Sequence, residues 1–229
     1  MEIGGLPFEA QVLHTNRRRS VAIEIKNGKV RVLAPRSCSE KELASILADK
    51  RQWIEKKLAE DKARPRAVKK EYVHGEGFLF CGERLALQFS SLADEIKAHP
   101  PLFLAVPLRF KNNPALPEIM EGWYKREALA FFEARSQHYA GLLGVPPYTI
   151  AIKDYAHQWG CCMGDGRVFY NWRVIMAPEF VADYICLHEM AHLREMNHSP
   201  KFWGIVGNIM PEYKKAKKWL NEKGGLLQL

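Results

Sequence analysis

The segment HEMAHLREMNH, residues 188–198, constrains this 229-residue chain more than any other stretch. His188 and His192 are four residues apart, so on a helix their side chains project from one face about one turn apart. That spacing allows two imidazoles to bind one Zn²⁺ ion. Glu189 lies roughly 100° round the helix, where it can reach a water on the ion. The pattern predicts a hydrolase that binds about one zinc ion per chain and uses Glu189 as general base.

Catalytic zinc usually has three protein ligands, and two residues are candidates for the third. Glu195 returns to the face of His188 seven residues later, but a third ligand on one straight helix would strain a tetrahedral site. His198 follows the expected helix end, where Asn197 can adopt the left-handed conformation and the chain can bend back to the metal. We therefore prefer His198 as the ligand. Glu195 is expected either to contact a metal ligand without binding the metal itself or to be exposed to solvent.

The pattern of apolar and turn residues predicts an α+β fold. Alternating apolar stretches flank Asn27-Gly28, which is a strong hairpin signal. A helical pattern that Ser39 can cap follows and runs to Lys62. Beyond it we expect strands over 78–82, 84–89, 102–106 and 148–152, helices over 116–144 and from Pro178, Pro200 and Pro211, and a hairpin over 158–174 with its turn at 164–166.

The charge and cysteine content bear on partners and location. The net charge of +8 suits an acidic partner, but the basic residues are dispersed, with Arg17-Arg18-Arg19 the longest run, so nucleic-acid binding is expected to be weak. No apolar run is long enough for a membrane span, and the first residues lack a signal-peptide pattern. Five cysteines without paired spacing favour a reducing compartment, so we expect a cytoplasmic protein.

These motifs together resemble a known family. The stretch HEMAHLREMNHSPKFW, preceded by Trp159-Gly160 and by Asn171-Trp172-Arg173, is similar to the YgjP-like metallopeptidases, predicted zinc hydrolases that are similar in turn to the SprT-like zincins. The resemblance implies a zincin-like catalytic domain over residues 111–229, with its active-site helix over about 178–196. A β-rich region with one long helix would precede it over residues 1–110.

The resemblance also assigns roles. It implies zinc ligands at His188, His192 and His198, with Glu189 as the base. It also implies that the Trp159-Gly160 hairpin and Asn171-Trp172-Arg173 line or brace the site.

The hairpin departs from the pattern that is common in the family, Ser/Thr-Arg-Trp-Gly-Ser-Cys. Residues 157–162 here read HQWGCC, so an arginine and a serine are replaced. The change bears on substrate preference and leaves the metal ligands unaltered. His157 could act as an electrophile toward the transition state, but a place at the surface or behind the site is favoured.

Three functions are consistent with these sequence features. A metallopeptidase is favoured, because a hairpin before such a helix often supplies an edge strand along which an extended peptide can add. A non-peptide amidohydrolase is the second enzyme hypothesis. A nucleic-acid-associated module with a structural zinc is the alternative from another class, and it would require a fourth protein ligand.

Overall fold

The chain forms two compact units, Met1–Arg64 and Pro65–Leu229. The computed structural model describes residues 7–16, 20–26, 28–65, 67–145 and 149–229. The boundary between the units differs from the predicted division at residue 110. The strands between 77 and 107 fall in the second unit because Phe78, Leu85 and Leu87 are buried in the same apolar core as its helices.

The first unit is a three-stranded sheet with two helices. Its strands are β1 (Ala10–Thr15), β2 (Ala22–Lys26) and β3 (Lys29–Pro35), in the order β1-β3-β2. β2 and β3 pair antiparallel, so the predicted hairpin is confirmed, although Asn27 of its turn lies outside the described residues. β1, which was not predicted, pairs with β3 in parallel. The Arg17–Arg19 run also lies outside the described residues.

The predicted long helix of this unit is two helices, α1 (Glu40–Asp49) and α2 (Arg51–Ala63). Lys50 separates them with φ −94° and ψ 5°, outside the α-helical range. Ser39 caps α1 as predicted and forms a capping box with Glu42. The core of the unit is made by apolar side chains of β1, β3 and both helices, including Val30, Val32, Leu43, Leu47 and Ile54.

The second unit contains two sheets. The first has the order β4-β5-β7-β6, from β4 (Gly77–Phe80), β5 (Glu83–Ser90), β6 (Lys97–His99) and β7 (Phe103–Pro107). The second has the order β8-β10-β9, from β8 (Thr149–Lys153), β9 (Gly160–Cys162) and β10 (Arg167–Asn171). β9 and β10 form the predicted hairpin, and β8 runs parallel to β10. Apart from β6, each strand was predicted to within a few residues, and the α+β class is confirmed.

Among the described residues of this unit, four α-helices accompany the sheets: α3 (Leu116–Leu143), α4 (Glu179–His192), α5 (Pro200–Ile209) and α6 (Tyr213–Lys223). α3 ends at Gly144 with φ 65°, as its sequence predicts, and the following Pro146-Pro147 lies outside the described residues. α4 is buried along almost its whole length, and Asp183 on it forms an ion pair with Arg135 of α3. None of the helices formed by the described residues is both long and apolar enough to cross a membrane.

The β4–β5 turn abuts the start of α4. Cys81 and Gly82 have φ values of 49° and 84°. Their amides donate hydrogen bonds to the carbonyls of Ile175 (2.8 Å) and Met176 (3.2 Å). A Cβ atom on Gly82 would lie 2.8 Å from the Cα atom of Pro178, which directly precedes α4. The turn therefore fixes where the most buried helix of the unit begins.

This contact predicts unequal costs for two glycine substitutions. Gly75 and Gly82 share a φ of 84°, but a Cβ on Gly75 would meet nothing within 4 Å. Gly75→Ala should lower the free energy of unfolding by about 1 kcal/mol through backbone strain alone. Gly82→Ala should cost a further ~1–3 kcal/mol through its clash with Pro178. Stability is measured by urea denaturation. If Gly75→Ala and Gly82→Ala had the same midpoint and slope, the turn would not fix the start of α4.

Candidate metal centre

Three histidines from α4 and the loop before α5 converge on one point. Each of His188, His192 and His198 offers a ring nitrogen, and these atoms all lie within 4.8 Å of one another. The Nε2 atoms of His188 and His198 are 3.0 Å apart. Three imidazole nitrogens so directed match the donor set of a catalytic transition-metal site, so these residues fit a metal ion.

His198 reaches the other two histidines because α4 ends early. The helix stops at His192, four residues before its predicted end near 196. The amides of Arg194 and Glu195 both donate to the carbonyl of Ala191, which closes a tight last turn. Ser199 then caps α5 as predicted, by accepting a hydrogen bond from the amide of Phe202.

The left-handed conformation predicted for Asn197 is wrong. The described non-glycine residues with positive φ are Tyr72, Cys81 and Asn112. The chain turns earlier, through the tight turn after His192, so Asn197 does not have to reverse it.

Glu195 contacts His192 through its backbone and not through its carboxylate. The Nδ1 atom of His192 lies 3.1 Å from the carbonyl oxygen of Glu195. A carbonyl can only accept, so Nδ1 carries the proton and Nε2 is the nitrogen with a lone pair for a metal. The carboxylate of Glu195 lies 3.5 Å from Nζ of Lys201 instead.

Two aromatic residues of α5 support the histidines. Phe202 is fully buried, and its ring centroid lies 4.5–5.0 Å from those of all three histidines. Trp203 stacks on His198 at 5.6 Å with an interplanar angle of 22°. Side chains packed in this way restrict rotation of the imidazoles, which keeps the ring nitrogens directed at one point.

Tyr184 is a site residue that the sequence analysis missed. Its hydroxyl lies 3.4 Å from Nδ1 of His188, so it supports this histidine as the Glu195 carbonyl supports His192. The available signal was its spacing, since Tyr184 precedes His188 by four residues on the same helix.

Burial keeps the histidines in the form that binds metals. Loss of hydration lowers the pKa of His188 to about 3, and nearby His192, His198 and Lys217 add to the shift. Burial also lowers the pKa of His192. Both side chains are therefore neutral near pH 7, and a neutral imidazole has the lone pair that a metal requires.

The side chain of Glu189 projects from α4 and packs against the edge strand β9. Only 6% of its surface is exposed, and burial raises the pKa of its carboxyl to about 8, against the opposing effect of a hydrogen bond from the backbone of Cys162. A Cβ atom on Gly160 would lie 2.6 Å from both Cγ and Oε1 of Glu189. The missing side chain at position 160 is therefore what makes room for the carboxylate.

Asn171 braces the loop that leads into β9. It is 2% exposed, and its Nδ2 atom donates to the carbonyls of Tyr155 (2.9 Å) and Gln158 (3.1 Å). The backbone N–H of Asn171 also donates to the carbonyl of Trp159 at 2.9 Å. One buried side chain thus fixes the backbone just before Gly160.

Two further residues that were predicted to be near the site, Trp159 and His157, differ in burial. Trp159 is half-buried against the end of α6, where a Cβ atom on Gly224 would come within 2.8 Å of its ring. His157 is exposed, and the three-histidine group does not include it. Its position agrees with the favoured surface placement.

Comparison with known proteins connects this site to a family. The model of the family described as YgjP-like, metallopeptidase domain, matches residues 19–223. Among solved structures, the metallopeptidase zymogen of Pyrococcus abyssi abylysin is similar at 23% identity and a TM-score of 0.37, over 39% of this chain and 90% of that one. No curated protein matches the sequence.

The geometry predicts that His198, and not Glu195, is the third ligand. His198→Ala should weaken metal binding by more than about 100-fold, since even residues that only support ligands often contribute 10–100-fold. Glu195→Gln should change it little, because the contact with His192 uses the backbone carbonyl. Zinc affinity is measured by chelator competition, with His138→Ala on the exposed face of α3 as a control. A larger loss in Glu195→Gln than in His198→Ala would reverse the assignment.

Proposed function

The chain belongs to the YgjP-like metallopeptidase family, and on that premise we propose that it cleaves peptide bonds with a zinc ion held by His188, His192 and His198. The observation that carries the proposal is the convergence of three ring nitrogens beside the buried Glu189. Three histidines are a common ligand set of catalytic zinc. When bound, zinc supplies Lewis acidity that polarises the scissile carbonyl and lowers the pKa of a water.

Glu189 is proposed as the general base. It follows His188 directly, so its side chain leaves α4 in a different direction from the ligands and meets β9. A carboxylate placed there can take the proton of the attacking water and pass it to the leaving amine. Burial makes the ionised form of this carboxyl a stronger base, because a raised pKa means that it binds a proton more readily than one in water, and hydrolysis then requires a pH high enough to ionise it.

The edge of the second sheet favours a peptide substrate. Hydrogen bonds join Asn171 to Trp159 and Met163 to Arg167 across the hairpin. The alternation of an antiparallel pair then points the backbone groups of Gly160 and Cys162 away from β10, toward the outer edge. The backbone amide of Cys162 already donates to the Glu189 carboxylate, so a peptide that adds to this edge through the remaining outward groups would pass beside Glu189.

The rival functions differ from this proposal in testable ways. A structural zinc needs a fourth protein ligand, whereas the candidate metal-binding group among the described residues comprises three histidines. A non-peptide amidohydrolase would use the same centre and is distinguished by its substrate. Weak, salt-sensitive nucleic-acid binding and a cytoplasmic location stay predictions, and the five free thiols suit the latter.

Glu189→Gln separates the base from the metal ligands. The amide has nearly the same size but cannot accept a proton, so the variant should keep its fold and zinc while hydrolysis falls by roughly 10²–10⁴-fold or more. Zinc content and peptide turnover are measured on one preparation across pH 5 to 9. The wild-type rate should rise with pH through one ionisation, and the variant should lack that rise. Turnover near the wild-type rate would remove Glu189 from the mechanism, and loss of zinc would make it a residue that supports the metal.

Gly160→Ala tests the contact between β9 and Glu189. The new methyl group would displace the carboxylate, so hydrolysis should fall at least about tenfold, as small displacements of catalytic groups do. Zinc affinity should change little. Gly164→Ala in the same hairpin is the matched control, because its Cβ would meet nothing within 4 Å. Equal activity of the two variants would show that the contact does not position Glu189.

A further inference from the structure

One face of α6 is turned toward Trp203. Tyr213 and Lys217 are four residues apart on this helix, so their side chains project from the same face. The ring of Tyr213 stacks on Trp203 at 5.3 Å with an interplanar angle of 14°. The Nζ atom of Lys217 lies 4.1 Å from the centroid of the Trp203 ring. The ammonium group is therefore held over an aromatic surface.

Trp203 connects this ammonium group to the metal centre. Its ring stacks on His198 and lies 5.9 Å from the ring of His188. One ring thus separates Lys217 from two of the proposed ligands. The charge of Lys217 is near enough to contribute to the lowered pKa of His188.

Lys217 differs from its neighbours on α6 in its partners. Lys215 pairs with Glu212, and Lys218 pairs with Glu222. Among the ion pairs between described residues, none includes Lys217. A metal ion bound by the histidines would repel the nearby ammonium group of Lys217, because both carry positive charge. A carboxylate that bound close to the ammonium group and the metal ion would offset this repulsion.

We propose that Lys217, held over Trp203, binds a carboxylate of the peptide substrate next to the scissile bond. The proposal rests on the proposed peptidase function and adds a substrate class to it: peptides with an acidic side chain, or a C-terminal carboxylate, close to the cleaved bond. Trp203 and Tyr213 act as positioning residues: Tyr213 stacks on Trp203, and the ammonium group lies over the Trp203 ring, which in turn stacks on His198.

The variants separate the charge of Lys217 from its packing. Lys217→Met keeps an apolar side chain over Trp203 and removes the charge, Lys217→Arg keeps the charge, and Lys217→Glu reverses it. Lys214→Met is the matched control, because Lys214 is an exposed lysine of the same helix and the ammonium group over Trp203 is that of Lys217. A purely structural role for Lys217 would alter stability but not discrimination between glutamate and glutamine in the substrate.

The experiment maps cleavage sites in a proteome-derived peptide library with the zinc-loaded full chain. Wild type, Lys217→Arg and Lys214→Met should favour acidic residues at one position near the scissile bond. There, kcat/KM for glutamate should exceed that for glutamine by about fivefold to tenfold. Lys217→Met should lose the preference, and Lys217→Glu should favour lysine or arginine. If the carboxylate is the C-terminal one, cleavage should occur at a fixed distance from the C-terminus and be lost when the peptides are amidated.

The outcomes distinguish this inference from the function on which it rests. An unchanged preference in Lys217→Met and Lys217→Glu would overturn the carboxylate subsite and leave the peptidase standing. The same holds if wild type cleaves without any preference for acidic groups. Zinc-loaded wild type that cleaves no peptide would overturn the proposed function and this inference with it.

Discussion

The burial of α4 is the constraint on which the rest of the second unit depends. Polar groups inside a protein are costly unless they have partners, yet Glu189 and His192 are both buried on this helix. Each of these polar side chains has a partner. His192 contacts the Glu195 carbonyl, His188 contacts the Tyr184 hydroxyl, and Glu189 accepts a hydrogen bond from the backbone of β9. The ring of Phe202 packs against all three imidazoles. A metal ion would satisfy the ring nitrogens that these contacts leave directed at one another.

The sheet edge beside this helix is also held by specific contacts. Asn171 holds the loop before β9 by bonds to the carbonyls of Tyr155 and Gln158, so the strand enters at a defined position. Gly160 then allows its backbone to approach Glu189 more closely than any side chain would permit. The carboxyl group of Glu189 and the backbone of β9 are thereby brought together by residues that are far apart in sequence.

Local sequence signals account for much of this arrangement. The spacing of His188, Glu189 and His192 is set by helical geometry, and Ser199-Pro200 marks the start of α5, so the approach of His198 could be expected. What could not be predicted depends on tertiary contacts. The pairing of β1 with β3 and the place of β4–β7 in the second unit depend on contacts between distant segments. The break at Lys50 and the end of α4 at His192 interrupt patterns that would otherwise continue as helix. The use of the Glu195 carbonyl instead of its carboxylate is likewise a result of the early helix end.

The departures from the common family hairpin fall where packing does not dictate the residue. Positions 157 and 158 are exposed and position 161 is only half-buried. Three positions agree with the common pattern: Trp159, Gly160 and Cys162. Close contacts with Gly224 and Glu189 restrict the first two, and the backbone of Cys162 donates a hydrogen bond to Glu189. A peptide that pairs with the backbone of β9 would meet different side chains here than in a hairpin with arginine and serine, while the hydrogen-bonding groups of the strand stay the same. Under the proposed function, the substitutions can therefore change which peptide is preferred without moving Glu189 or the proposed ligands.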